Sequence, residues 1–287
     1  MRPDPRDRSR SVPPQSAGLR SSHIAVVASG RSGVGTSVCA ALLALECAAR
    51  GRRVLLIDGN EGHGAQHVLF GIRPVRLLES LRDSHVEVKD VCTALGDEFT
   101  VVACAPTTHG IRAFSRETHA LPWERLFVLS ADYDCVIVDG GSRLDNIRAI
   151  ATSGAGCAVL VTDTDTMSLA ATFALVKALH VETPELSSTV LVNRRDAVTA
   201  DRASAQIADA CQHFLAVDMP LAGCLPDDPS LSAAIGAGML VGDAAQGSPA
   251  FAAIQSLAQT VFPFLADAVA ATPVSPPPHD IRRRSLS

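Results

Sequence analysis

The sequence predicts an α/β fold, a single doubly wound, mostly parallel sheet with helices on both faces. Short apolar runs alternate with helical stretches along the chain, which implies βαβ units with right-handed crossovers. The apolar runs are Val/Ile/Leu-rich with little alternation, as strands of a parallel sheet require when both their faces are covered. At 287 residues and 47% hydrophobic, the chain is long and apolar enough to bury a substantial single core.

The elements follow in order. His23 to Ser29 reads as a buried strand, and an Ala/Leu-rich stretch over 36–50 reads as the helix that leaves it. Further strands are expected at 53–57, 99–104, 134–138, 157–162, 188–193 and 220–225. Further helices are expected at 75–83, 121–131, 143–152, 165–180, 199–215, 230–238 and 250–270. No repeat or internal linker interrupts the pattern, so one domain is expected over 23–271. Residues 1–22 are Arg/Ser/Pro-rich with no apolar core of a signal peptide, and read as a disordered arm. Residues 272–287 read as a disordered Pro/Arg-rich tail, in which three arginines, Arg282 to Arg284, are too few to anchor the chain to a membrane alone.

Composition narrows the function. No apolar run reaches the roughly 18 residues needed to cross a bilayer. The net charge of -5 supplies no broad basic field, so direct nucleic-acid binding is not expected. The eight cysteines include no Cys-x-x-Cys and fall in or beside apolar runs, as in Cys39, Cys47, Cys104, Cys135 and Cys157. They read as buried reduced thiols of a cytoplasmic protein. His63 and His67 stand four apart, but no third ligand has convincing spacing, so they read as surface residues.

The chemistry concentrates at Gly30-Arg31-Ser32-Gly33-Val34-Gly35-Thr36-Ser37. A phosphate-binding loop needs Gly, four residues, Gly, Lys, then Ser or Thr. Both glycines and the hydroxyl of Ser37 are in register, whereas the lysine position holds Thr36. Strand, glycine turn and helix is the context in which such a loop binds phosphate, through free backbone N–H groups and the positive end of the helix dipole. Two further apolar runs end in acids, Arg53 through Asp58 and Tyr133 through Asp139. With Ser37, Asp58 and Asp139 form a candidate Mg²⁺ side for the loop.

On these residues the chain resembles the MinD/ParA family of P-loop ATPases, over about residues 22–270. It most resembles the MinD branch that includes the flagellar-number regulators FlhG and FleN. The family loop Gly-Lys-Gly-Gly-Val-Gly-Lys-Thr corresponds to Gly30–Ser37, and its Asp-x-Asp to Asp58-Gly59-Asn60. Its Walker B strand corresponds to Tyr133 through Asp139, and its Thr-Thr-Pro-Glu loop to Thr162–Asp165. Its adenine-side Val-Asn corresponds to Val192-Asn193, and its Gly-x-hydrophobic-Pro-x-Asp turn to Gly223 through Asp228. Ser248-Pro249-Ala250, at the start of the last helix, is familiar from the same branch.

The resemblance implies ATP or ADP with Mg²⁺ held by Gly30–Ser37, Asn193, Pro226 and Asp227. It also implies partner proteins, a homo- or heterodimer, and a cytoplasmic location with peripheral inner-membrane contact open. The departures bear on hydrolysis. The family's phosphate lysine is Thr36, its dimer-spanning lysine is Arg31, and the Asp that positions water is Asn60. A lost charged hydrogen bond to phosphate costs about 1.5–3 kcal/mol, which binding can survive. A lost transition-state donor costs about 10²–10³ in rate, and Asn60 removes a second contributor, so no catalytic residue is assigned. Three readings stand: a nucleotide switch with weak or lost hydrolysis, a non-binding scaffold, and an ATPase in which a substitute charge such as Arg31 serves the phosphate. The cluster-binding relatives are excluded, because Gly140, Gly141 and Ser142 follow Asp139 where they carry a cysteine. The last helix is broken at Pro263 and poor in basic residues, so it is expected to pack on the body rather than on a membrane.

Overall fold

The computed structural model describes residues 21–60, 63–104 and 116–265. Eight strands form one sheet. They are β1 (Ser21–Ala28), β2 (Val54–Asp58), β3 (Cys92–Ala94), β4 (Phe99–Val102), β5 (Cys135–Gly141), β6 (Ala155–Thr162), β7 (Ser187–Asn193) and β8 (Leu221–Leu225). Their spatial order is β3-β4-β2-β5-β1-β6-β7-β8, and every pairing is parallel except β3 with β4. Nine α-helices accompany them among the described residues, the last three after β8: α1 (Thr36–Ala49), α2 (Gln66–Leu69), α3 (Arg116–Val128), α4 (Leu144–Ser153), α5 (Thr166–Glu182), α6 (Ala197–Leu215), α7 (Pro229–Gly236), α8 (Val241–Ala244) and α9 (Pro249–Val261).

Successive strand residues feed opposite faces. Ile24, Val26, Leu55, Ile57, Val136 and Val138 pack with Trp123, Ile147, Ile150, Leu175, Leu179 and Ile207, under α3 to α6. Ala25, Val27, Val54, Leu56 and Ile137 pack with Leu42, Leu43, Ile254 and Leu257, under α1 and α9. Both faces are therefore dry, which is why the strands read as continuous apolar runs rather than alternating ones.

The departures from the expected elements are local. Residues 75–83 form a 3₁₀ turn, Leu78–Arg82, rather than an α-helix. Leu78 and Leu81 are its buried residues, and a spacing of three stacks them on one side of a three-residue turn. The helix expected at 121–131 starts earlier and ends at Val128, followed by a 3₁₀ turn over Leu129–Asp132. The helix expected over 250–270 stops at Val261, since Pro263 disfavours helical backbone at Phe262; residues 266–270 lie outside the described residues. The short strand β3 has no counterpart among the expected elements. It folds back on β4 through Gly96-Asp97-Glu98, with Leu95 N–H donating to the Phe99 carbonyl at 2.8 Å. The arm and tail expected at 1–22 and 272–287 also lie outside the described residues, apart from Ser21 and Ser22, which belong to β1.

Candidate functional site

The carboxyl ends of the parallel strands converge around the loop between β1 and α1, which is where ligands bind in open α/β sheets. The loop, residues 29–35, is held from three sides. Its first glycine lies against α5, where a Cβ on Gly30 would come 2.3 Å from the backbone of Ala171. Its far end rests on β7, where the Asn193 side-chain amide donates to the Val34 carbonyl at 2.8 Å. Ser29 anchors its base, with its N–H donating to the Gly141 carbonyl at 2.9 Å and its hydroxyl to the Arg31 carbonyl at 2.9 Å. Gly33 and Gly35 have φ of 85° and 93°, the left-handed region that a side chain disfavours. Helix α1 opens on Gly35 with no side chain capping its first turn, which leaves its first amides to a ligand.

Thr36 does not reach outward. It is buried, and its hydroxyl donates to the Ser29 hydroxyl at 2.9 Å. Arg31 points away toward α5 and pairs with Asp165 at 3.0 Å. The substitute charge expected from Arg31 is thus engaged with the residue that caps α5.

Behind the loop the two strand-end acids are register partners, Asp58 of β2 beside Asp139 of β5. Both are fully buried. Burial, with the Asp139 charge beside it, pushes the Asp58 carboxyl up to about 8. Burial also raises Asp139, against the pull of the Ser37 hydroxyl and the Gln66 amide. Asp58 accepts from the backbone N–H of Gln66 at 2.9 Å and of Asn60 at 3.2 Å. Asn60 stands beside Gly141, where its Oδ1 would lie 2.2 Å from a Cβ on that glycine.

Gln66 and Asn146 are site residues that sequence reasoning missed. The Gln66 side-chain amide donates to Asp139 Oδ2 at 3.0 Å and to the Ser37 carbonyl at 2.9 Å, while its Oε1 is buried with no partner among the described residues. Asn146, on α4, donates to the Gly59 carbonyl and more weakly to the Gly140 carbonyl at 3.4 Å. Together they tie the ends of β2, β5 and α1. Neither belongs to a motif, and buried position cannot be read from a lone amide. The donor set of Ser37, Asp58, Asp139 and the unpartnered Gln66 oxygen is all hard oxygen, which fits Mg²⁺.

On the other side of the loop a cavity of 270 Å³ opens between the first turns of α1 and the β8–α7 corner. Gly35, Val38, Asn193, Arg194, Pro226 and Asp228 line it. Asn193 thus meets the loop and Pro226 lines the cavity, while Asp227 is exposed and is not part of the lining. Asp228 is structural as well. It caps α7 through Leu231 N–H at 2.9 Å and accepts the Ser248 hydroxyl at 2.6 Å.

The remaining candidates fall away from the site. No cluster of three metal-ligating side chains that includes His63 or His67 occurs among the described residues. The eight cysteines, all among the described residues, form no disulfide, and five are buried, with burial pushing Cys39 up to about 12. No helix among the described residues is long and apolar enough to cross a membrane.

A glycine loop between the central strand and its helix, with two strand-end acids in register behind it and a cavity beside it, is the architecture of the P-loop nucleotide-binding domains. A family profile described as the CobQ/CobB/MinD/ParA nucleotide binding domain matches residues 25–241, and the chain belongs to that family. It is 27% identical over 240 residues to the antiactivator FleN of Pseudomonas aeruginosa, covering 83% of this chain and 85% of that protein. Its fold is similar to that of the septum site-determining protein MinD of Pyrococcus horikoshii, solved in complex with Mg-ADP. There the TM-score is 0.69 at 20% identity, over 87% of this chain and 99% of that one. The MinC:MinD cell division complex of Aquifex aeolicus matches with a TM-score of 0.66 at 19% identity, over 87% and 98%.

Proposed function

We propose that the chain binds ATP or ADP with Mg²⁺ at Gly30–Ser37 and acts as a spatial or number regulator through partner proteins, with hydrolysis weak or lost. The observation that carries this reading is the combination of a preserved cradle with a missing lysine. The backbone of the loop keeps its two left-handed glycines and its uncapped helix end, while Thr36 is turned inward onto Ser29. Backbone donors and the helix dipole can hold phosphate without the lysine. Ser37 and Asp139 are the residues that would hold Mg²⁺, which neutralises phosphate charge when bound.

Hydrolysis needs more than binding. Asn60 cannot take a proton from water or carry the charge that orients it, and Thr36 offers no cation to the transferring phosphate. The likeness to FleN and to MinD in complex with MinC supports a regulator that acts by pairing with other proteins, as a homo- or heterodimer. Titration of the protein with a fluorescent ATP analogue, followed by phosphate release from unlabelled ATP, tests the reading. Saturable Mg²⁺-dependent binding with negligible release supports it. Release at the rate of a family member that carries the lysine and both acids contradicts it, and absence of binding supports a scaffold instead.

A further inference from the structure

The loop carries Thr36 at its lysine position, yet one arginine beside it has no carboxylate partner among the described residues. Strand β7 ends at Asn193, and Arg194 follows with φ of 61°, a left-handed backbone uncommon outside glycine. Strain of this kind persists where the surroundings over-determine a conformation, and it clusters at ligand sites. The turn sends the Arg194 side chain along the loop. Its Nη1 donates to the Gly33 carbonyl at 3.4 Å, and its Nη2 stands 3.8 Å from where a Cβ on Gly35 would sit. The same side chain lines the 270 Å³ cavity together with Gly35 and Val38.

The neighbouring cations are committed elsewhere. Arg31 pairs with Asp165 at 3.0 Å. Arg195 pairs with Asp163 at 2.7 Å and donates to the Thr164 hydroxyl at 2.8 Å. Arg194 is exposed and forms no ion pair with a carboxylate among the described residues. Its contact to Gly33 is long for a hydrogen bond and easily exchanged for a better acceptor.

We propose that Arg194 supplies the cationic phosphate contact that Thr36 cannot make, so that the charge reaches a nucleoside di- or triphosphate from the end of β7 rather than from within the loop. The inference rests on the nucleotide reading above. A guanidinium suits the role, since its planar fork meets two phosphate oxygens at once. A contact of this kind acts on phosphates and not on the base, so its signature is a dependence on phosphate number.

Calorimetric titration of wild type, Arg194→Ala and Arg194→Lys with Mg-ATP, Mg-ADP and adenosine tests it, with Arg202→Ala on the exposed face of α6 as a control of equal charge loss. Arg194→Ala is expected to weaken Mg-ATP by about tenfold or more, which is what one charged hydrogen bond is worth. Arg194→Lys restores part of that loss, adenosine is unaffected, and Arg202→Ala stays within about twofold of wild type. Equal Mg-ATP affinity in wild type and Arg194→Ala overturns the inference and leaves nucleotide binding standing. Equal losses for ATP and adenosine also overturn it, by assigning Arg194 to the shape of the cavity. A wild type that binds none of the three overturns the nucleotide reading and this inference together.

Discussion

Thr36 and Gln66 show how single side chains have been re-employed around the loop. Thr36 donates to Ser29, and Ser29 in turn holds the Arg31 and Gly141 carbonyls, so the hydroxyl that stands at the lysine position reinforces the loop instead of reaching beyond it. Thr36→Lys is therefore expected to tighten Mg-ATP binding by about tenfold, the worth of one charged phosphate contact. Phosphate release should stay slow in that variant, because Asn60 is unchanged. Only the double variant Thr36→Lys with Asn60→Asp is expected to recover turnover, by about 10² or more over wild type in a phosphate-release assay. Fast release from Thr36→Lys alone would show that Asn60 is not a barrier. Gln66 gives a second prediction. Its amide serves both the buried Asp139 and the part-buried Ser37 carbonyl. Gln66→Leu removes both of these hydrogen bonds and should cost about 1–3 kcal/mol in urea unfolding. An unchanged midpoint would mean that the amide contributes nothing to the closed site.

At the scale of elements, the site is assembled by strand ends and helix caps. The acids lie opposite each other because β2 and β5 pair in register from Val54–Cys135 to Asp58–Asp139. The cavity beside the loop is shaped by one carboxylate, Asp228, which caps α7 and holds Ser248, itself the cap of α9 through Phe251 N–H at 3.1 Å. Asp228→Ala removes a cap and strands the Ser248 hydroxyl, so about 2 kcal/mol of stability should be lost. Nucleotide affinity should fall in the same variant, since α7 forms one wall of the cavity. Equal affinity with lowered stability would separate that wall from the site. Helix α9 makes the matching case for packing. Ile254, Leu257, Val261 and Phe262 are buried against α1 and the sheet, so Ile254→Ala should cost about 2–5 kcal/mol in thermal or urea unfolding. A helix reserved for a membrane surface would tolerate the change.

For the whole molecule, the sequence carried most of the architecture because a parallel sheet covered on both faces leaves a plain signature. The buried strands read as apolar runs, and motifs follow the carboxyl ends of β1, β2, β5, β6, β7 and β8. Seven of the eight strands stand out in this way. The hidden one, β3, has three residues and half-exposed side chains, so neither periodicity nor burial marks it. The 3₁₀ turn at Leu78–Arg82 was obscured for a related reason, since two leucines three apart fit either kind of helix. Within the site, residues in motifs were legible and residues that act by position were not. Gln66, Asn146 and Arg194 lie far apart in sequence and come to the region of the loop only because β2, β5 and β7 bring their carboxyl ends to one edge. Arg31, which stands at the motif's dimer-spanning position, pairs here with Asp165. The loop has two left-handed glycines and an uncapped helix end, with Thr36 at the lysine position, and the account stands on whether it takes nucleotide. Titrating the intact wild-type chain with Mg-ATP by isothermal calorimetry is the most direct test. Saturable binding at micromolar to submillimolar nucleotide, lost when Mg²⁺ is removed, is the predicted result. No heat of binding at millimolar nucleotide would contradict the account and leave the chain a scaffold built on a nucleotide fold.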